Sequence, residues 1–107
     1  MSATQEHHQA SQVGVHGAIT IRQLEYFVRV ARFGSINRAA GDLHVAQSAV
    51  TRQIQALECG LGARLLERSA RGVRLTEDGE RILELATAML RLALRARQTL
   101  CRSSPKI

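Results

Sequence analysis

Residues Ser35 to Glu58 read SINRAAGDLHVAQSAVTRQIQALE and carry the strongest pattern in the chain. In the first part of this stretch Ile36, Ala39 and Leu43 recur at helical spacing, which predicts a short helix with one apolar face. Ser35 is a suitable cap for the first turn of that helix. Only residues 44–46 separate it from a second helix. Because so short a connection leaves little freedom, the second helix must leave the first at a steep angle, and the spacing predicts a helix-turn-helix.

The second helix of this pair is predicted over Gln47–Glu58, with Val50, Ile54 and Leu57 turned inward. The opposite, polar face carries Gln47, Ser48, Thr51, Arg52 and Gln55. Glutamine can pair with adenine, arginine can pair with guanine, and serine or threonine can reach bases or phosphates, so this face suits a DNA major groove. Any one of these residues taken alone would be interpreted as an ordinary solvated position.

A small hairpin is predicted after the helix pair. Gly60 and Gly62 interrupt the helical pattern, and Arg64–Arg68 and Val73–Leu75 form two short segments around a turn. Three arginines flank that turn, namely Arg68, Arg71 and Arg74. An arginine at a hairpin tip can reach a minor groove or phosphates that the helix cannot touch. Beside this arginine-rich wing, the polar helix face is interpreted as a DNA-reading surface rather than a solvated one.

Two further helices flank this unit. The first is predicted from Ile21 to a stop at Gly34. The last is predicted to begin after Thr76, a suitable cap, and two acidic residues in its first turn suit the helix dipole. Gly79 is expected to weaken that first turn slightly.

The last helix carries two apolar stripes. One consists of Ile82, Leu85, Met89, Leu92 and Ala96, and the other of Leu83, Leu90 and Leu94. One stripe is enough to cover a small core, so the other needs a partner, and a second copy of the same helix is the simplest one. The first stripe is therefore predicted to be a dimerisation surface.

Charge divides the chain into two parts. The formal net charge is +6, and residues 22–74 hold nine arginines against four acidic residues, a net +5. Residues 75–100 balance four arginines with four acidic residues, which indicates a solvated helix with another role. The basic part suits a polyanionic partner, either nucleic acid or an anionic membrane surface.

Length and composition limit the classes of protein to which this chain can belong. A chain of 107 residues has material for one small domain. Its most apolar stretch, residues 82–94, is interrupted by Glu84 and Arg91 and falls short of the roughly 20 residues of a membrane span. Cys59 and Cys101 lie far apart, so we expect no disulfide and a reducing, cytoplasmic setting. Cys59 has no resolving cysteine nearby, so it is interpreted as a bystander rather than as a redox-sensitive thiol.

The N-terminal segment, residues 1–18, holds too little apolar surface to repay the entropy of ordering and is predicted to be a flexible tail. His7, His8 and His16 lack companion ligands at metal spacing, so we expect no metal site and no cofactor. The rest of the chain divides into a DNA-binding domain over residues 19–75, a linker or dimerisation helix over 76–101, and a frayed end over 102–107.

Several short motifs follow one another along the chain. They are Leu24-Glu25-Tyr26-Phe27, Gly34-Ser35-Ile36, Arg38-Ala39-Ala40, Gln47 to Ile54, Leu57-Glu58, Leu61 to Arg68 and Arg74 to Gly79. Together they resemble the N-terminal domain of LysR-type bacterial transcription regulators, over about residues 19–100. The resemblance implies a winged helix-turn-helix followed by a long linker helix, which pairs antiparallel in a homodimer on double-stranded DNA.

The same resemblance implies roles for individual residues. Gln47, Ser48, Thr51 and Arg52 match positions that contact DNA in the family. Arg71 matches the wing position that enters the minor groove, and Arg38 is expected to contact a phosphate. The family typically reads an interrupted palindrome with a T and an A at its ends, near promoters.

The chain also departs from the family pattern. Ala46 lacks the hydroxyl that many relatives carry before the recognition helix, which removes a capping option. Cys59-Gly60 replaces an acidic, helix-favouring pair and is expected to end that helix early. Family members carry a large C-terminal effector-binding domain, whereas this chain stops at Ile107. We therefore expect no small-molecule inducer site here, and DNA binding without ligand control.

The sequence thus predicts a sequence-specific DNA-binding transcription regulator that binds promoter half-sites as a dimer. An alternative is a short interaction module that forms mixed dimers with a full-length regulator. Enzymatic activity is not expected, because the chain has no glycine-rich phosphate loop, no His-Glu-x-x-His motif and no activated nucleophile in a recognisable setting.

Overall fold

Four helices and one two-stranded sheet make up residues 18–103, the part of the chain that this computed structural model describes. In chain order the elements are α1 (Ile21–Phe33), α2 (Ile36–Leu43), α3 (Gln47–Leu61), β1 (Leu66–Ser69), β2 (Gly72–Leu75) and α4 (Glu77–Ser103). The strands pair antiparallel, with Leu66 opposite Leu75 and Ser69 opposite Gly72. The predicted mainly helical winged helix-turn-helix with a long final helix is confirmed.

Local capping explains where α1 and α2 begin. The Thr20 hydroxyl accepts from the Gln23 backbone N–H at 3.0 Å, and the Thr20 N–H donates to the Gln23 side chain at 3.1 Å, a reciprocal cap. Gly34 closes α1 in a left-handed conformation with φ 66°. Ser35 Oγ then accepts from the Arg38 backbone N–H at 3.1 Å and starts α2. The predicted stop at Gly34 and cap at Ser35 are confirmed.

The core lies where α1 meets the other helices. Its largest fully buried side chains are Phe27, Val30, Val50, Leu57 and Leu65. They come from α1, α3 and the segment before β1, and α1 contacts α2, α3 and α4. Because burial of each such side chain is worth about 1.5–3 kcal/mol, the apolar inner face of α3 holds this helix in one orientation.

The end of α3 differs from the prediction. The expected early end at Cys59-Gly60 is wrong, since α3 continues through this pair to Leu61. Gly62 adopts the left-handed conformation instead, with φ 71°, and its N–H donates to the Glu58 carbonyl at 2.8 Å. One glycine inside a helix costs about 1 kcal/mol, which is less than burial of one neighbouring leucine contributes.

The strands of the wing also have different bounds from those predicted. β1 begins at Leu66 rather than Arg64, and β2 begins at Gly72 rather than Val73. The backbone just before β1 forms a different hydrogen bond: the Arg64 carbonyl accepts from the Thr76 hydroxyl at 2.6 Å. Thr76 lies beyond β2, so this bond ties the entrance of the wing to its exit.

Gly79 does more than weaken the first turn of α4. A Cβ atom at this position would stand 2.1 Å from the carbonyl oxygen of Leu65, a distance at which backbone must shift. Thr76 Oγ1 accepts from the Gly79 N–H at 2.9 Å, which confirms Thr76 as the cap of α4. The missing side chain lets α4 start directly against the segment before β1.

The far end of α4 lies at Ser103, two residues beyond the predicted end at residue 101. Residues 102 and 103, expected to belong to a frayed end, are therefore helical. Residues 1–17 and 104–107 lie outside the described part of the chain, so the predicted flexible tail and its three histidines lie outside it almost entirely.

Candidate DNA interface

The polar face of α3 and one wing arginine form a common surface. One open concavity of about 390 Å³ is lined by Gln47, Ser48, Thr51, Arg52, Gln55 and Arg68. All five residues predicted on the outer face of α3 are therefore brought together, and the structure adds Arg68 to them. We call this surface the reading face. It combines amide, hydroxyl and guanidinium groups, the side chains that recognise base edges.

Anchoring from behind holds the reading face in place. On the opposite side of α3, Val50 and Leu57 are fully buried and Ile54 is nearly so. Because these three residues recur at helical spacing, they set the rotation of α3 about its own axis. The first turn of α3 lacks a side-chain cap at Ala46, as predicted. Burial rather than capping therefore orients this helix.

Arg68 joins the wing to the reading face. Its Nη2 donates to Thr51 Oγ1 at 3.1 Å, across 17 residues of sequence. The guanidinium lies beside α3 instead of extending freely from β1. Spacing within the sequence did not show this contact, because it joins two elements that meet only in the folded chain.

The tip of the wing carries Arg71. Ala70 and Arg71 form the turn between Ser69 and Gly72, and the Arg71 side chain is exposed. The Arg71 N–H donates to Ser69 Oγ at 3.2 Å, which tightens the turn. Gly72 has φ 126°, a conformation that side chains rarely adopt. Arg71 thus projects at the tip of a short hairpin, in the position predicted for it.

Two more predicted contact residues lie on other elements. Arg38 is exposed in the first turn of α2, and its guanidinium carbon lies 5.9 Å from the centre of the Phe33 ring. Arg74 is exposed on β2, in register with Glu67. Neither residue lines the reading face. The predicted DNA-contact residues therefore occupy α2, α3, both strands of the wing and the turn between those strands.

Ion pairing separates structural arginines from those of the interface. The ion pairs within the described part of the chain join Arg29 to Glu25 and Asp42, and Arg81 to Glu77 and Asp78. Arg29 lies on α1 and Asp42 on α2, so this ion pair ties the two helices together. None of the predicted DNA-contact arginines pairs with a carboxylate among residues 18–101. Their charge is available to a polyanion.

Glu58 supports the wing, a role that the sequence did not indicate. Its Oε2 accepts from the backbone N–H of Leu65 at 2.8 Å and from that of Leu66 at 3.2 Å. The carboxylate at the end of α3 thus holds the start of β1. An acidic residue before a glycine turn is its only signal in the sequence, and that signal is common.

The predicted dimerisation stripe on α4 is largely uncovered. Leu85 is 60% exposed, Met89 41% and Leu92 61%. Ala96 is exposed as well, whereas Ile82 is half-buried and packs against the core. Four of the five predicted residues therefore form one exposed row.

The second stripe of α4 mainly faces the core. Leu83 and Leu90 pack against it, while Leu94 is 51% exposed. Ala86 is fully buried as part of the core, although the spacing of the large apolar residues did not indicate it. A small residue gives only a weak hydrophobic signal, so periodicity does not identify it.

The described residues form neither a metal cluster nor a membrane-spanning helix. No group of three or more His, Cys, Asp or Glu side chains there could hold a metal ion. No helix among residues 18–103 combines the length and apolar character needed to cross a membrane.

The comparisons with known proteins agree with this geometry. Residues 21–80 match the family model of the bacterial regulatory helix-turn-helix proteins of the lysR family. The HTH-type transcriptional regulator TfdT of Cupriavidus pinatubonensis (strain JMP 134 / LMG 1197) is 51% identical over 76 residues, which are 71% of this chain and 33% of TfdT. The chain thus spans about a third of the length of this relative.

Solved structures show the same fold. The CbnR_DBD-DNA complex is matched with a TM-score of 0.75 and 47% identity, over 79% of this chain and 98% of that one. The BenM_DBD/catB site 1 DNA complex is matched with a TM-score of 0.76 and 36% identity, over 79% and 96% of the two chains. With its helix-turn-helix, its wing and these matches together, the chain belongs to the lysR family of bacterial regulatory helix-turn-helix proteins.

Proposed function

We propose that this chain binds double-stranded DNA in a sequence-specific manner and serves as the DNA-reading part of a LysR-type transcription regulator. The observation that carries the proposal is the reading face, where five polar residues of α3 and Arg68 of the wing converge. An exposed row of base-recognising side chains on a helix anchored from behind suits a major groove. The two similar structures named above were solved with DNA, which supports the same role.

Within this proposal, each part of the interface has its own task. α3 enters the major groove, where Arg52 and Gln47 read base edges. Arg71, at the wing tip, reaches the adjacent minor groove, while Arg38 and Arg74 contact phosphates and add affinity without sequence preference. Residues 19–75 form this DNA-binding unit, and residues 76–101 form the linker helix.

The proposal includes a homodimer that pairs through α4. The exposed row of Leu85, Met89, Leu92 and Ala96 leaves an apolar surface that a second α4 would cover. Twofold symmetry then places two reading faces on two half-sites, so the operator is an interrupted palindrome. A role confined to mixed dimers is not favoured, because the family match extends over residues 21–80 and so includes the reading face.

A regulator of this kind works in the cytoplasm and has no catalytic activity or cofactor, and the proposal includes these points. Named relatives such as TfdT are transcriptional regulators.

Selection of bound sequences from a random DNA pool tests the proposal. The expected result is a half-site repeated with twofold symmetry at one spacing, because two reading faces linked through α4 demand a single separation. Affinity for the selected duplex should fall steeply with salt, since arginines release counterions from phosphates. A pool without enrichment, or an affinity that salt does not change, would contradict the proposed function.

A further inference from the structure

The bond between Arg68 and Thr51 constrains the chemistry of the threonine. Arg68 Nη2 donates to Thr51 Oγ1 at 3.1 Å, and both side chains line the reading face. A guanidinium only donates hydrogen bonds, whereas a hydroxyl has one proton to donate and two lone pairs to accept with. The contact therefore uses one of the two lone pairs of Thr51 and directs its proton away from Arg68. The second lone pair stays open within the described residues, but the positive charge of the guanidinium weakens it as an acceptor and strengthens the proton as a donor.

Within the described part of the chain, the hydroxyl proton of Thr51 is not donated to any hydrogen-bond acceptor. Threonines on α4 behave differently: Thr87 Oγ1 donates to the Leu83 carbonyl at 2.8 Å, and Thr99 Oγ1 donates to the Arg95 carbonyl at 2.8 Å. A threonine inside a helix often donates its hydroxyl proton in this way to the carbonyl four residues earlier. Among residues 18–103, the hydroxyl of Thr51 has only its contact with Arg68. It keeps one donor for an external acceptor.

Arg68 reaches the hydroxyl from a backbone that is held on both sides. Two residues before it, β1 begins at Leu66, whose N–H donates to Glu58 Oε2 at 3.2 Å. Opposite it on β2 stands Val73, whose N–H donates to the Gly34 carbonyl at 3.1 Å. Because the strand pair is tied to α3 and to the end of α1, the backbone from which the Arg68 side chain extends is fixed relative to Thr51, and less entropy is lost on binding.

We propose that Arg68 is a positioning residue that commits the Thr51 hydroxyl to donate a hydrogen bond to DNA. The inference rests on the proposed DNA binding. A hydroxyl held as a donor favours the acceptors of the major groove, namely guanine N7 and O6, adenine N7 and thymine O4, over the amino groups of cytosine and adenine. The bond from a charged group also polarises the hydroxyl and strengthens its donation. Thr51 therefore recognises whether one base pair presents a hydrogen-bond acceptor at the position of its hydroxyl.

The test uses the full 107-residue chain and the selected duplex, with each base pair changed in turn and affinities measured by fluorescence anisotropy. Thr51→Val keeps the shape of the side chain and removes the hydroxyl, so discrimination should fall about tenfold at one base pair. Arg68→Ala should lower discrimination at that same base pair about fivefold. In the Thr51→Val background, Arg68→Ala should cause no further loss of discrimination, because both act on one hydrogen bond.

Arg74 is the matched control. It is an exposed arginine on the other strand of the wing and forms no hydrogen bond to α3 within the described residues. Arg74→Ala should weaken binding to all duplexes alike, since it removes the same charge. Thermal unfolding of each variant checks that the fold is kept, and if Arg68→Ala is too unstable, Arg68→Met takes its place with the same expected result, because methionine keeps a long side chain and has no hydrogen-bond donor.

Two results would overturn the positioning role. In the first, Arg68→Ala weakens all duplexes alike in both backgrounds, as Arg74→Ala does. In the second, Thr51→Val changes discrimination at no base pair. Failure of the unsubstituted chain to select any sequence is a different result, which would overturn the proposed function itself.

Discussion

Gly72 lies directly against Gly34, although the two glycines are 38 positions apart in the sequence. A Cβ atom on Gly72 would stand 2.6 Å from the Gly34 carbonyl oxygen. The same oxygen accepts from the Val73 N–H at 3.1 Å. The turn that ends α1 therefore holds the first residues of β2, and the position of the wing depends on a contact between two glycines.

Gly72→Ala is expected to destabilise the protein by about 1–3 kcal/mol, because a side chain at φ 126° is strained and also meets the Gly34 carbonyl. Urea denaturation followed by circular dichroism measures this loss. Gly41→Ala is the matched control, since nothing lies within 4 Å of a Cβ at that position in α2. The control should be neutral or stabilising by up to about 1 kcal/mol. Equal midpoints for Gly72→Ala and wild type would show that the wing is not held in this way.

Gly79→Ala should also destabilise, by about 1–3 kcal/mol, even though alanine is the better helix former. The added methyl group would meet the Leu65 carbonyl oxygen at 2.1 Å and push α4 away from the wing entrance. The change in unfolding free energy is measured as for Gly72→Ala, again beside Gly41→Ala. A gain in stability, as helix propensity alone would give, would refute the close approach.

Glu58→Ala removes the acceptor of two backbone N–H groups at the start of β1 and should cost about 1–3 kcal/mol. Glu58→Gln keeps one acceptor oxygen and should lose about half as much. Glu67→Ala is the control, because Glu67 is an exposed carboxylate of β1 whose removal should change stability by less than about 0.5 kcal/mol. Similar losses for Glu58→Ala and Glu67→Ala would argue that the carboxylate of Glu58 does not hold the strand.

Arg52→Ala should relax the base preference by about 1–3 kcal/mol at the position that Arg52 reads. Arg38→Ala should instead weaken specific and random duplexes alike and reduce the slope of log affinity against log salt by about 1. Parallel titrations of both duplex types at several salt concentrations distinguish the two roles. If Arg52→Ala weakened both duplex types to the same degree, Arg52 would be a phosphate contact.

Leu92→Glu should shift the oligomeric state from dimer to monomer, because it places a charge on the exposed row of α4 that pairing would bury. Sedimentation equilibrium measures the change. Gln98→Glu adds the same charge at an exposed position of α4 outside that row and should leave the dimer intact. Dimers that persist in Leu92→Glu would show that another surface joins the two copies.

Helix positions were largely predictable from the sequence, because their signals are local. The start of α2 at Ser35 and the stop at Gly34 depend on bonds within a few residues. The end of α3 was missed, since Gly60 carries the same local signal as the true terminator, Gly62. Which of the two glycines adopts the left-handed conformation and ends the helix depends on how the last turn packs. The residue type alone does not specify this.

The rotation of α3 follows from the order of its residues alone, because residues at helical spacing must share a face whatever the rest of the chain does. That order thereby identified the polar residues of the reading face, Gln47 to Gln55. The position of the wing beside that face depends instead on tertiary contacts. The contacts of Gly72 with Gly34 and of Arg68 with Thr51 each join elements far apart in the chain. Such contacts leave no periodic trace in the sequence, since they form only once the apolar core has brought those elements together.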